Sequence, residues 1–113
     1  LAKADDFESY FSITPLNGGQ IEVYWKPEHL TGHNVKEVKV VAVPQSRQGS
    51  IKIVFEEVSS GTIILQQLLP DTPYKVSVKG LRDDEEVFSF EQQVQTLPSI
   101  FMHDFGNNSA VAA

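Results

Sequence analysis

Leu68-Leu69-Pro70-Asp71-Thr72-Pro73-Tyr74 reads as a corner between two strands. Pro70 fixes φ and ends the strand before it, while Asp71 and Thr72 favour a turn through local side-chain hydrogen bonds. Tyr74 opens the next strand with its ring buried, so its hydroxyl has to bond back to nearby backbone. Upstream lies the clearest strand, Gln20-Ile21-Glu22-Val23-Tyr24-Trp25-Lys26. Ile21, Val23 and Trp25 point one way along it, and Gln20, Glu22, Tyr24 and Lys26 point the other.

The same period of two runs through the rest of the chain, and no convincing amphipathic helix interrupts it. Phe11 and Ile13 alternate with Tyr10 and Ser12, and Asn17-Gly18-Gly19 supplies the positive φ values of a tight reversal. In Val35 to Val43, Glu37 and Lys39 mark the wet face, which puts Val38, Val40 and Ala42 inside and turns Val41 and Val43 outward. Ser50 to Val58 repeats the pattern, with Ile51, Ile53 and Phe55 as the inward set against Lys52, Val54 and Glu56. Thr62 to Gln67 leads through Ile63 and Leu65 to Leu68. Tyr74, Val76 and Val78 alternate with Lys75, Ser77 and Lys79, and a last strand spans about Val87 to Thr96. Gln92 shares parity with Phe90 and Val94, so a bulge or an edge position is expected to let its amide reach water.

Seven short strands at this spacing predict an all-β, seven-stranded antiparallel sandwich. Trp25, the Leu68-x-Pro70-Asp71-Thr72-x-Tyr74 corner, the Tyr74-x-Val76-x-Val78 strand and the closing Val94-x-Thr96-x-Pro98 together resemble a fibronectin type III module, of immunoglobulin-like topology. The resemblance gives Trp25, Leu68, Pro70, Thr72 and Tyr74 structural roles. It divides the chain into a flank at 1–8, a module at 9–98 and a tail or linker at 99–113. It also implies that Lys26 to Asn34, Glu57 to Gly61 and Leu81 to Glu86 gather at one end. Two departures stand out: family members often carry a Tyr on the third strand where Val38 or Ala42 stands, and often Ala at the place of Gly80.

The chain of 113 residues is long enough to bury one core without staples. It has no cysteine, which excludes a disulfide framework, a zinc-thiolate site and a cysteine nucleophile. A formal charge of −6 argues against nucleic acid or heparin as partner, since those need a cationic face. No apolar run reaches the ~20 residues of a membrane span, so no direct membrane insertion by this segment is expected. The start at Leu1 rather than Met reads as a segment of a longer protein.

Candidate chemistry is sparse. His29 and His33 stand four apart, a zinc-ligand spacing on a helix, but they fall in an expected loop with Glu28 as the one nearby third candidate. They read as solvated loop residues. His103-Asp104 is half a triad without a Gly-x-Ser-x-Gly context. Arg82-Asp83-Asp84-Glu85-Glu86 lacks the Asp-x-Asp-x-Asp-Gly spacing of a calcium loop and reads as a solvated hairpin tip. No catalytic, metal or cofactor site is therefore expected. Asn107-Asn108-Ser109 is a glycosylation acceptor if the chain is secreted, and Ile100, Phe101 and Phe105 make the tail too apolar for a plain linker.

The resemblance implies a non-catalytic protein-binding or spacer module of a larger receptor or adhesion protein, extracellular or at the cell surface, among neighbouring domains of its parent chain. The alternatives are an intracellular structural repeat of a giant muscle-type protein and an accessory module of a carbohydrate-active enzyme. Two surfaces compete for an unidentified protein partner. Val41 and Val43 offer desolvated contact beside Lys75 and Lys79, and Asp83, Asp84, Glu85 and Glu86 offer electrostatic steering.

Overall fold

The structure, a computed structural model, describes residues 4–99. β1 (Phe11–Leu16), β2 (Gln20–Trp25) and β5 (Thr62–Leu65) form one antiparallel sheet in the order β1-β2-β5. β3 (Glu37–Pro44), β4 (Lys52–Glu57), β6 (Pro73–Arg82) and β7 (Glu85–Gln95) form the other, ordered β4-β3-β6-β7. The seven-stranded sandwich expected from the alternation is the one found. Among the described residues three short helical pieces accompany it: α1 (Ala4–Glu8), α2 (Pro27–Thr31) and a 3-10 turn at Val58–Ser60. None is long and apolar enough to cross a membrane.

The corner folds as its residues require. The Leu69 N–H donates to the Tyr74 hydroxyl oxygen at 2.8 Å, and the Thr72 hydroxyl donates to the Pro70 carbonyl at 2.7 Å. Thr96 locks the two strands above it, accepting from the Thr72 N–H at 2.9 Å and donating to the Leu69 carbonyl at 2.6 Å. Tyr74→Phe removes the acceptor of a part-buried amide, and a loss of about 1 to 2 kcal/mol is expected in urea unfolding. A variant as stable as the parent would show that the hydroxyl is not part of the corner.

Trp25 is fully buried between the sheets, and its indole Nε1–H donates to the Val58 carbonyl at 2.8 Å. That bond ties β2 to the turn that follows β4. Val38, Val40 and Ala42 point inward, as expected, and meet Val76 and Val78 of β6 in a fully buried layer. Gln92 is exposed on β7, an edge strand, so the edge position accounts for it; the ladder's irregularity lies instead between Gly80 and Leu81.

Three expectations need correction. Ile51, Ile53 and Phe55 do not face the core: they are 58%, 54% and 51% exposed. β4 pairs with β3 so that Lys52, Val54 and Glu56 stand opposite the buried Ala42, Val40 and Val38 and share their inner face. β4 is an edge of the four-stranded sheet, and on its inner face Val54 packs against the core while Glu56 stays exposed, so that face is only partly covered. Pro27–Thr31 is a turn of helix rather than a loop, entered through a proline at its first turn and closed by burial of Leu30. Finally, Phe7 of the flank set apart at 1–8 is 1% exposed and belongs to the core. Its ring stacks on Phe88, centroids 4.3 Å apart. Phe88 in turn lies across Gly80, its partner in the ladder, where an added methyl would overlap ring carbons. Glycine at that place makes room for the aromatic pair.

Candidate protein-binding surface

The outer face of the four-stranded sheet carries an apolar block built from two neighbouring strands. Ile51, just before β4, and Ile53 and Phe55 on it alternate outward, and on β3 the half-buried Val41 lies opposite Ile53. Val43, also half-buried, continues the β3 column beyond it. A monomer normally scatters such side chains, and a contiguous group rimmed by polar residues marks a contact site. The rim here is cationic on the side of β6: Lys79 faces Lys39 and Lys75 faces Val43 across the ladder. Lys39 leans over Phe55, 5.3 Å from the ring centroid, a contact worth about 0.5 to 1 kcal/mol at an exposed site. Val41 and Val43 thus sit in the face to which the alternation assigned them. Ile51, Ile53 and Phe55, the larger part of the block, were not expected in it.

The loop end is arranged differently. α2, the Val58–Ser60 turn and the β6–β7 hairpin are drawn together: Lys36 N–H donates to Leu81 and Val58 N–H donates to Lys36, at 2.8 and 2.9 Å. Asp83 and Asp84 are the two residues of the hairpin, both at positive φ (50° and 69°), the geometry that Asp and Asn tolerate best after Gly. Three of the four acids are paired: Asp83 with Lys36 at 3.3 Å, Glu85 with Arg82 at 3.1 Å, and Glu86 with Lys79 at 3.6 Å. Such exposed pairs add at most about 1 kcal/mol each, but they reduce the negative field the segment projects.

His29 and His33 turn toward α1. The His29 ring lies 4.8 Å from that of Tyr10, and His33 packs edge-on to Phe7 at 4.9 Å. Among the described residues no group of three His, Cys, Asp or Glu side chains converges on a metal-sized site. A shallow cleft of about 240 Å³ opens between Asp6, Tyr10 and His33. The Ser9 hydroxyl at its edge donates to the Asp6 carbonyl at 2.7 Å, so it is not set up as a nucleophile activated by the imidazole. Asn107 and His103-Asp104 lie outside the described residues.

No family model matches the chain, and no curated protein does. Solved structures do. A fibronectin type III domain of the human collagen alpha-1(XX) chain is 19% identical, with a TM-score of 0.62 over 78% of this chain and 81% of that one. One from human contactin 1 is 18% identical, with a TM-score of 0.64 over 78% and 74%. The FN5 domain of Drosophila Lar is 24% identical, with a TM-score of 0.55 over 77% and 90%. The strand order, the buried Trp25 and the Tyr74 corner agree with that likeness, and the chain has the fibronectin type III fold.

Proposed function

We propose that the chain is a non-catalytic, protein-binding module of a larger extracellular or cell-surface protein, and that it engages its partner through the outer face of the four-stranded sheet. The observation that carries this reading is the block of Ile51, Ile53, Phe55, Val41 and Val43 left open on that face. Affinity comes from desolvating apolar contacts, with large anchors such as Phe55 dominating. The lysine rim selects a partner with acidic groups beside its own apolar patch. The Asp83 to Glu86 hairpin, mostly neutralised by its own cations, contributes to encounter more than to affinity. The likeness to single modules of collagen XX and contactin 1 supports the extracellular part of the proposal.

The test is a proteome-scale interaction screen with the folded module, followed by kinetics on each verified ligand. Val41→Glu places a charge in the centre of the block without touching the core. Dissociation is expected to quicken roughly 30-fold with association nearly unchanged. A folded Val41→Glu variant that binds a verified ligand as the parent does would refute the sheet-face reading.

A further inference from the structure

β4 has a second unusual surface, its free edge. Within the ladder, the Val58 N–H bonds to Lys36, and on the other side of β3 the Gln45 N–H bonds to Pro73. Residues directly opposite one another alternate between bonded and non-bonded pairs. The even-numbered residues of β4 therefore bond to β3, and Ile53, Phe55 and Glu57 aim both backbone groups outward. They meet no backbone partner among the described residues. The other edges are less open. β1 contains Pro15, β5 has only four residues, and β7 is flanked by α1 through Phe7 on Phe88 and Gln92 on Glu8.

An open edge is ordinarily protected by charges that point inward, because an added strand would bury them. Lys52 and Glu56 occupy those inner positions on β4. They block every strand except one that sets a carboxylate against Lys52 and an ammonium against Glu56. The segment Lys52-Ile53-Val54-Phe55-Glu56 is itself such a strand when read backwards.

We propose that β4 pairs antiparallel with β4 of a second copy of this chain, about a two-fold axis through Val54. In that register Lys52 faces Glu56 of the second copy, and Glu56 faces its Lys52. Val54 meets Val54 on the inner side, and Ile53 meets Phe55 on the outer side. Ile53/Phe55 and Ile51/Glu57 become the pairs that exchange both backbone hydrogen bonds. Moving the axis to Ile53 would set Lys52 against Val54 and leave both charges unmatched. The Ser60 hydroxyl already holds one Glu56 carboxylate oxygen at 2.9 Å, leaving the other to accept from Lys52 of the second copy. The paired sheets form one continuous surface on which the two apolar blocks adjoin. Edge pairing alone buries less than a standard interface, so association needs protein on the order of 0.1 to 1 mM.

Sedimentation equilibrium up to about 1 mM decides the matter. The parent mass is expected to rise from 12.6 kDa toward twice that value. Lys52→Glu and Glu56→Lys, each of which sets like charges face to face, should both remain monomeric. An equimolar mixture of the two single variants should associate again, as should the double variant carrying both changes. A parent that stays monomeric would overturn the proposal. So would single variants that associate like the parent, or a mixture and double variant that do not associate. Val41→Glu lies away from this edge and should leave self-association intact, so loss of partner binding and loss of pairing can be told apart.

Discussion

Trp25→Ala is expected to lower the free energy of unfolding by about 3 to 5 kcal/mol, against the ~5 to 15 kcal/mol typical of a whole domain. The indole is fully buried and contacts Phe11 across the β1–β2 pair, centroids 5.8 Å apart. Truncation leaves a cavity between the sheets that rigid strands cannot collapse. It also strands the Val58 carbonyl, which accepts the Nε1–H at 2.8 Å. Cavity and lost partner act in the same direction, so the effect belongs at the upper part of the range. Urea unfolding measures it, and a variant within about 1 kcal/mol of the parent would mean that Trp25 is not the centre of the core.

Phe7→Ala should cost about 3 kcal/mol, a large effect for a residue so near the start of the chain. Its ring is stacked on Phe88 and touched edge-on by Tyr10 at 6.1 Å and His33 at 4.9 Å. A helix of five residues has no stability of its own, so α1 is held chiefly by this buried ring, with one exposed hydrogen bond from Gln92 to Glu8 beside it. Removing it should also expose Phe88. Urea unfolding of the variant checks the figure, and a change below about 0.5 kcal/mol would show that α1 does not belong to the folded unit.

The contrast between these two residues shows what was legible in the chain. Trp25 and Tyr74 announce themselves because each closes a local pattern: an alternating strand ends at the first, and a Pro-Asp-Thr turn precedes the second. Phe7 stands alone in Asp5-Asp6-Phe7-Glu8, with no period to place it. The signal that bears on it lies far away, at Gly80, whose missing side chain makes room for Phe88 and hence for the stack.

β4 failed for a different reason. Alternation tells which residues share a face but not which face is covered, and the rule that the apolar set points inward holds only where another layer lies over it. On β3 it held, and Val38, Val40 and Ala42 are fully buried. On the edge strand β4 it did not, and Ile51, Ile53 and Phe55 went outward. The Val41 and Val43 half of the candidate surface was therefore readable, while its larger half depended on a pairing register that only the fold supplies.

The outward set of β4 can be tested directly, because the chain contains no cysteine to confuse a thiol probe. Ile53→Cys and Val40→Cys should be labelled in the native state with a maleimide. Val40 is fully buried, so its variant should react at least about 100-fold more slowly than a free thiol, limited by opening of the sheet. Ile53→Cys should react at nearly the free rate. Protection of Ile53→Cys equal to that of Val40→Cys would put the apolar set of β4 inside, and the proposed binding face would not exist.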